Sequence, residues 1–93
     1  MSSLRLLKKD IDYLVEELVS DCYLSVYFHS EKEEAIVALM SEVMSFRNDI
    51  FERINNPAEK NNSKLLKKHF AQIRLETFSK IDESFEKLSV LCK

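Results

Sequence analysis

The stretch CYLSVYFHSEKEEAIVALM, residues 22–40, decides the fold, because one helical pattern ends within it and another begins. On both sides of the junction, apolar residues recur every three or four positions, a spacing typical of amphipathic α-helices. Ser30 and Glu33 have the spacing of a capping box, which marks a helix N-terminus. The connection at residues 28–30 is too short for anything but an antiparallel hairpin of two helices.

Outward from this junction, the pattern predicts three helices, at about residues 4–28, 31–54 and 63–91. The second helix ends where Asn56 precedes Pro57. Asn tolerates the left-handed conformation that often terminates a helix, and a residue before Pro is driven out of the helical region. Pro57 and Glu59 fit a helix start of their own, so the third helix begins either at Pro57 or at Ser63.

Composition narrows the fold class further. A chain of 93 residues is expected to form one domain, residues 1–93. Its 45% apolar and 32% charged residues are typical of a globular protein and unlike a disordered chain. The sequence has no Gly and one Pro, which excludes Gly-rich phosphate loops and most β architectures. We therefore expect an all-α fold, a three-helix antiparallel up-down-up bundle.

The sequence lacks the patterns of membrane spans, signal peptides, metal sites and catalytic motifs. No run approaches the roughly 18 consecutive apolar residues of a membrane span, and the first ten residues show no signal-peptide pattern. We expect a cytoplasmic protein without membrane contact, in which Cys22 and Cys92 are free thiols. The spacings of Cys, His and acidic residues match no metal site, and no Ser lies in a nucleophile elbow. We expect no cofactor and no catalytic activity.

Arg47 is the charged residue that most needs an explanation. It lies near the middle of an apolar arc of about 160° on the second helix, and an unpaired buried charge costs several kcal/mol. In an antiparallel hairpin, position 47 lies opposite positions 11 and 12 of the first helix. The pattern predicts a buried ion pair of Arg47 with Asp10 or Asp12, and Asp49 and Glu76 are the next candidates. Such a pair either fixes the register of the two helices or crosses a subunit interface. The alternatives are an anion anchor in a cavity and a side chain that reaches out to solvent.

The first helix carries more apolar residues than one buried face can use. We call this excess set, which lies on its far side and around its C-terminal end, the aromatic surface: Leu6, Tyr13, Tyr23, Leu24, Tyr27 and Phe28. An isolated bundle would leave this surface in water, and exposed patches of this kind are typical interaction sites. We expect self-association through it, with a homodimer as the commonest closed form.

Charge is distributed unevenly along the chain. From Asp10 to Glu34 there are eight acidic residues and one Lys. From Lys60 to Arg74 there is no acid, and we call the basic residues of this segment the basic cluster: Lys60, Lys64, Lys67, Lys68 and Arg74. It could bind nucleic acid or another polyanion, or the acidic first helix of another subunit. The net charge of −2 makes nucleic acid the less favoured partner.

Four strings together resemble small all-helical bacterial proteins of uncharacterised function: KKDIDYL at 8–14, SDCYL at 20–24, FRNDIFERINNP at 46–57 and KLLKKHFAQIR at 64–74. The resemblance implies a helical protein and no particular activity. The function expected from the residues is a non-catalytic interaction or structural module that self-associates through the first helix. Polyanion binding through the basic cluster is the alternative.

Overall fold

The computed structural model describes residues 2–57 and 61–93 of the chain. Within these residues the protein forms α1 (Ser2–Phe28), a short 3-10 helix (Ser30–Lys32), α2 (Glu33–Asn55) and α3 (Ser63–Leu91), and it has no strand. The predicted all-α class with three helices is confirmed. The protein measures 51 × 19 × 15 Å, so its length is set by the helices.

One stripe of each helix forms the core, with the spacing of three and four residues that the sequence shows. The stripes of the three helices meet in a single cluster, and half-buried side chains such as Phe46 and Phe85 pack against it. The buried apolar residues are Leu7, Ile11, Val15, Leu18 and Cys22 from α1, Ile36, Leu39, Val43, Ile50 and Ile54 from α2, and Ile73, Ile81 and Leu88 from α3.

The junction between α1 and α2 differs from the predicted capping box. The backbone N–H of Glu33 donates to the carbonyl oxygen of Ser30, closing a 3-10 turn before α2 begins. In a capping box the same N–H would donate to the side-chain hydroxyl of Ser30. Here the Ser30 carbonyl oxygen accepts that hydrogen bond in place of the hydroxyl. Neither the 3-10 helix nor α2 has a side-chain hydrogen bond at its N-cap.

The end of α2 is also simpler than predicted. Asn56 has φ −130° and ψ 63°, and no described residue has a positive φ, so the helix ends without the left-handed conformation that Asn tolerates. Its backbone N–H and its side-chain Nδ2 both donate to the carbonyl oxygen of Glu52, at 3.0 and 3.2 Å. The steric effect of Pro57 on the residue before it is sufficient to end the helix.

The start of α3 lies at Ser63. Asn62 is its N-cap, and the side-chain oxygen of Asn62 accepts a hydrogen bond from the backbone N–H of Leu65 at 3.1 Å. The alternative start at Pro57 depends on residues 58–60, which lie outside the described part of the chain.

Ser84 is a polar residue in the core of α3. Its side chain is 0% exposed, and its hydroxyl has no hydrogen-bond partner among the described residues. Thr77, the second buried polar residue of α3, donates instead to the carbonyl oxygen of Ile73 at 2.8 Å. A buried hydroxyl without a partner opposes folding because it has lost its hydrogen bonds to water.

We expect Ser84→Ala to raise the free energy of unfolding by about 1 kcal/mol, since it removes an unpaired hydroxyl and improves helix propensity. Urea denaturation followed by circular dichroism measures the change. Thr77→Val is the control, since it removes a hydroxyl that is already satisfied and should bring no comparable gain. A loss of stability in Ser84→Ala would show that the hydroxyl has a partner in solution.

Candidate functional site

The residues of the aromatic surface are all exposed in the folded chain, from 57% for Leu6 to 80% for Tyr27. They form two groups along α1. Leu6 and Tyr13 lie in its first half, and the other four residues lie between Tyr23 and Phe28 at its C-terminal end. There the rings of Tyr27 and Phe28 meet edge to face, with centroids 5.2 Å apart. The single chain therefore leaves a large apolar area of α1 uncovered.

Acidic side chains share this exposed side of α1 with the apolar ones. Glu16, Glu17 and Asp21 lie between the two groups, Asp10 lies between Leu6 and Tyr13, and all four carboxylates are exposed. None of the four takes part in an ion pair with another described residue. The surface of α1 is thus both apolar and negatively charged.

The predicted ion pair of Arg47 forms with Asp12. Arg47 Nε donates to Asp12 Oδ1 at 2.9 Å, and Arg47 Nη2 to Oδ2 at 3.3 Å. This hydrogen bonding raises the pKa of Arg47 above its usual value. The prediction of burial is wrong, since the side chains of Arg47 and Asp12 are 28% and 41% exposed. The buried side of α2 is narrower than the arc of about 160° that apolar residues span in its sequence. Met44, at the edge of that arc, is 42% exposed.

Asp10 is not the partner of Arg47. Lys8 and Asp12, one helical turn apart on α1, both hydrogen-bond to α2, through Asn55 and Arg47. Asp10 is two residues from each of them, and residues two apart lie on different sides of a helix. Its carboxylate is exposed and makes no hydrogen bond or ion pair to another residue of the described chain.

Arg47 contacts three residues of the bundle. A groove between α1 and α2 passes it and is also lined by Asp12, Tyr23 and Met44. However, the guanidinium already donates to Asp12 and, through Nη1, to Asn48 at 3.2 Å. Its carbon also lies 3.8 Å from the centroid of the Phe51 ring, a cation–π contact. These contacts favour a structural role.

We expect Arg47→Leu to fold normally, with a free energy of unfolding within about 1 kcal/mol of the original, because half-exposed ion pairs contribute little. Thermal denaturation at low salt, compared with Asp12→Asn as the matched removal of the other charge, measures it. A loss above about 2 kcal/mol in both variants would mean that the pair is a principal determinant of stability, and a loss in Arg47→Leu alone would assign the effect to its contact with Phe51.

Two further ion-pair groups join α2 to α3, and neither was predicted from the sequence. Arg53 makes a two-pronged pair with Glu76, at 2.7 and 3.0 Å. Glu42 accepts from both Lys80 and Lys87, at 2.7 and 3.3 Å. These hydrogen bonds lower the pKa of Glu76 and of Glu42 below the usual range. All five residues lie at the margins of the apolar stripes. An Arg or Lys at the margin of one helix and a Glu at the margin of the next would have predicted such pairs from the sequence.

The basic cluster is exposed as far as the structure describes it. Lys64, Lys67, Lys68 and Arg74 lie on the first half of α3 and form no ion pair with a described residue. Lys60 lies outside the described residues. Two apolar side chains lie beside these cations and are also exposed, Leu75 by 64% and Phe78 by 50%. The surface of α3 is thus both apolar and positively charged, which charge counting alone did not reveal.

His69 and the two cysteines contact the interior of the bundle. His69 Nε2 lies 3.1 Å from the carbonyl oxygen of Arg53, at the α2–α3 boundary. Cys22 is buried and Cys92 half-buried, and both are free thiols. Burial, with the nearby charges of Asp21 and Cys92, raises the pKa of Cys22 to about 11. A thiol of this kind is a poor nucleophile at neutral pH.

Across residues 2–57 and 61–93, no group of three or more His, Cys, Asp or Glu side chains is placed to hold a metal ion. No helix of the described chain has the length and apolar character needed to cross a membrane.

Comparison with known proteins gives no family for the chain. It matches no protein-family model, no curated protein and no solved structure. The resemblance to small all-helical bacterial proteins stays a prediction.

Proposed function

We propose that the protein is a non-catalytic helical interaction module that forms a homodimer through the aromatic surface of α1. The observation that carries the proposal is the exposure of all six residues of this surface. Burial of apolar area contributes roughly 25 cal/mol per Å², and an aromatic side chain can bury about 150 Å² or more. Covering three Tyr and one Phe therefore offers several kcal/mol toward association.

The arrangement proposed for each subunit is an up-down-up bundle. Between α1 and α2, Lys8 contacts Asn55 and Asp12 contacts Arg47, so residue numbers rise along α1 as they fall along α2. Arg53 with Glu76 and Glu42 with Lys87 do the same for α2 and α3. Both sets of contacts support antiparallel neighbours. In a reducing compartment such as the cytoplasm, where we place the protein, its two thiols would remain free.

Sedimentation velocity over a range of protein concentrations tests the proposal. We expect the original protein to sediment as a dimer, and Tyr13→Ser/Leu24→Ser to sediment as a folded monomer at the same concentrations. Val37→Ser/Val90→Ser, which removes two exposed apolar side chains from α2 and α3, is the matched control and should remain dimeric. An original protein that is monomeric at all concentrations, or a control variant that dissociates equally, contradicts the proposal.

The second candidate function is binding of nucleic acid or another polyanion through the basic cluster. It is favoured by the four described cations of the cluster, which lack an ion-pair partner among the described residues. Positive charge near a helix N-terminus is unfavourable for the helix dipole, so helix stability does not account for it. A single-stranded oligonucleotide should then bind with steep salt dependence, weakened by Lys67→Ala/Lys68→Ala. Absent or salt-independent binding rules this function out.

A further inference from the structure

We infer that the partner of α1 in the proposed dimer is α3 of the second copy, with the acidic side of one helix against the basic side of the other. The inference rests on the proposed homodimer and names the surface that covers α1. It follows from the charges that accompany the apolar residues on each helix.

The exposed side of α1 is acidic from Asp10 to the C-terminal end of the helix, whereas Arg5 and Lys9 are exposed in its first turns. At 100° per residue, Leu6, Asp10, Tyr13, Glu17 and Leu24 lie within an arc of about 60°. From Asp10 to the end of α1 the chain has five acidic residues and no Lys or Arg, and Asp12 is the one whose charge Arg47 neutralises. Any partner of this side must therefore cover apolar groups without adding negative charge.

A second α1 does not meet that requirement. Two copies of α1 laid against each other in a twofold arrangement would bring the segment Glu16 to Asp21 close to the same segment of the partner. Like charges placed opposite each other across an interface cost several kcal/mol. The four unpaired carboxylates would then oppose the gain from burying Tyr13 and Leu24.

The exposed side of α3 has the complementary properties in its N-terminal half, up to Phe78, after which Asp82 is exposed on the same side. Lys64, Lys67, Arg74, Leu75 and Phe78 lie within an arc of about 100°, which also contains the small side chain of Ala71. From Lys64 to Leu75 there is no acidic residue. Leu75 and Phe78 offer apolar area for Tyr13 and Leu24, while the cations face carboxylates that have no partner within the described chain.

The symmetry of a dimer doubles this contact. In a twofold arrangement, α1 of each subunit meets α3 of the other, so the same pairing occurs twice and the assembly closes. Each interface residue then acts at two places. Reversal of charge on one helix should be compensated by reversal on the other, even when the two changes are in different molecules.

Mixing two charge-reversed variants tests the inference. Variant one carries Asp10→Lys and Glu17→Lys on α1, and variant two carries Lys67→Glu and Arg74→Glu on α3. Each alone places like charges at both contacts, and we expect its dimer dissociation constant to rise about 100-fold. An equimolar mixture restores opposite charges at both contacts and should form a heterodimer with close to the original affinity. Asp49→Lys/Glu52→Lys, on exposed positions of α2, is the matched control and should dimerise normally.

Native mass spectrometry at low and high salt distinguishes the outcomes, since the variants differ in mass. Heterodimers in the mixture, with each variant alone monomeric, support the inference. Dimers that form regardless of charge reversal, yet are lost in Tyr13→Ser/Leu24→Ser, overturn it and leave the proposed function intact. An original protein that is monomeric at every concentration overturns both. An oligonucleotide retained on the original protein in place of a second subunit would also contradict it.

Discussion

Leu18→Ala should lower the free energy of unfolding by about 3 kcal/mol and the melting temperature by about 15 °C. Leu18 lies on α1 where the three stripes meet, and its side chain is 0% exposed. Its replacement removes three carbon atoms from a packed core that can close the resulting cavity only in part. A protein of 93 residues has a total stability of about 5 to 14 kcal/mol, so one such change consumes a large share of it.

Chemical denaturation at a protein concentration low enough to keep the chain monomeric measures this loss, and Leu24→Ala is the matched control. Leu24 is on the same helix and is 58% exposed, so the same atoms are removed from a position that is largely in water. We expect a change below about 0.5 kcal/mol there. Equal effects at the two positions would mean that α1 does not face the core as described.

The core and the helices could be predicted because one physical rule governs both. An apolar residue every three or four positions forms a stripe only on a helix, and Ile11, Leu18 and Ile73 are buried as that rule requires. The exposure of Tyr27 and Leu24 was predicted by the same geometry, since both lie opposite the stripe of α1. Periodicity is a property of one helix, and it can be read without knowledge of the others.

Helix ends were predicted less well, because two kinds of donor and acceptor compete there. The N–H of Glu33 can bond to the Ser30 hydroxyl or to the Ser30 carbonyl oxygen, and the two bonds have similar free energies. The structure has the second, in a 3-10 turn. At Asn56 the residue type allowed a left-handed turn, but Pro57 provided a sufficient reason to end the helix without one.

Contacts between helices could be predicted only in part. Asp12 was named as a partner of Arg47, but its exposure depends on how far α1 covers the edge of α2, which no single-helix pattern gives. The pair of Arg53 and Glu76 was missed for the same reason, since it depends on the rotation of α3 about its own axis. That rotation also exposes Phe78, so the surface of α3 that carries the basic cluster is apolar as well as positively charged.

Cys22 should react with a thiol reagent at pH 8 at least about 1,000 times more slowly than Cys92 does. Its side chain is 0% exposed, so the reagent reaches it only when the protein opens, and a stability of 5 kcal/mol or more keeps the open fraction below about one in a thousand. The raised pKa of Cys22, about 11, belongs to the closed state, in which burial also keeps the reactive thiolate scarce at pH 8. Cys92 lies at the end of α3 and is half-buried, so local fraying of the helix terminus is enough to expose it.

The single-thiol variants Cys92→Ser and Cys22→Ala, labelled with Ellman's reagent, separate the two reactions. In guanidinium chloride both thiols should react at similar rates, which controls for the reagent. Leu18→Ala should accelerate labelling of Cys22 by about 100-fold, since Leu18 stabilises the same core by about 3 kcal/mol, and should leave the rate at Cys92 nearly unchanged. If Leu18→Ala leaves the rate at Cys22 unchanged, opening at Cys22 is local, and the C-terminal half of α1, with Leu24 and Tyr27, separates from the bundle without global unfolding.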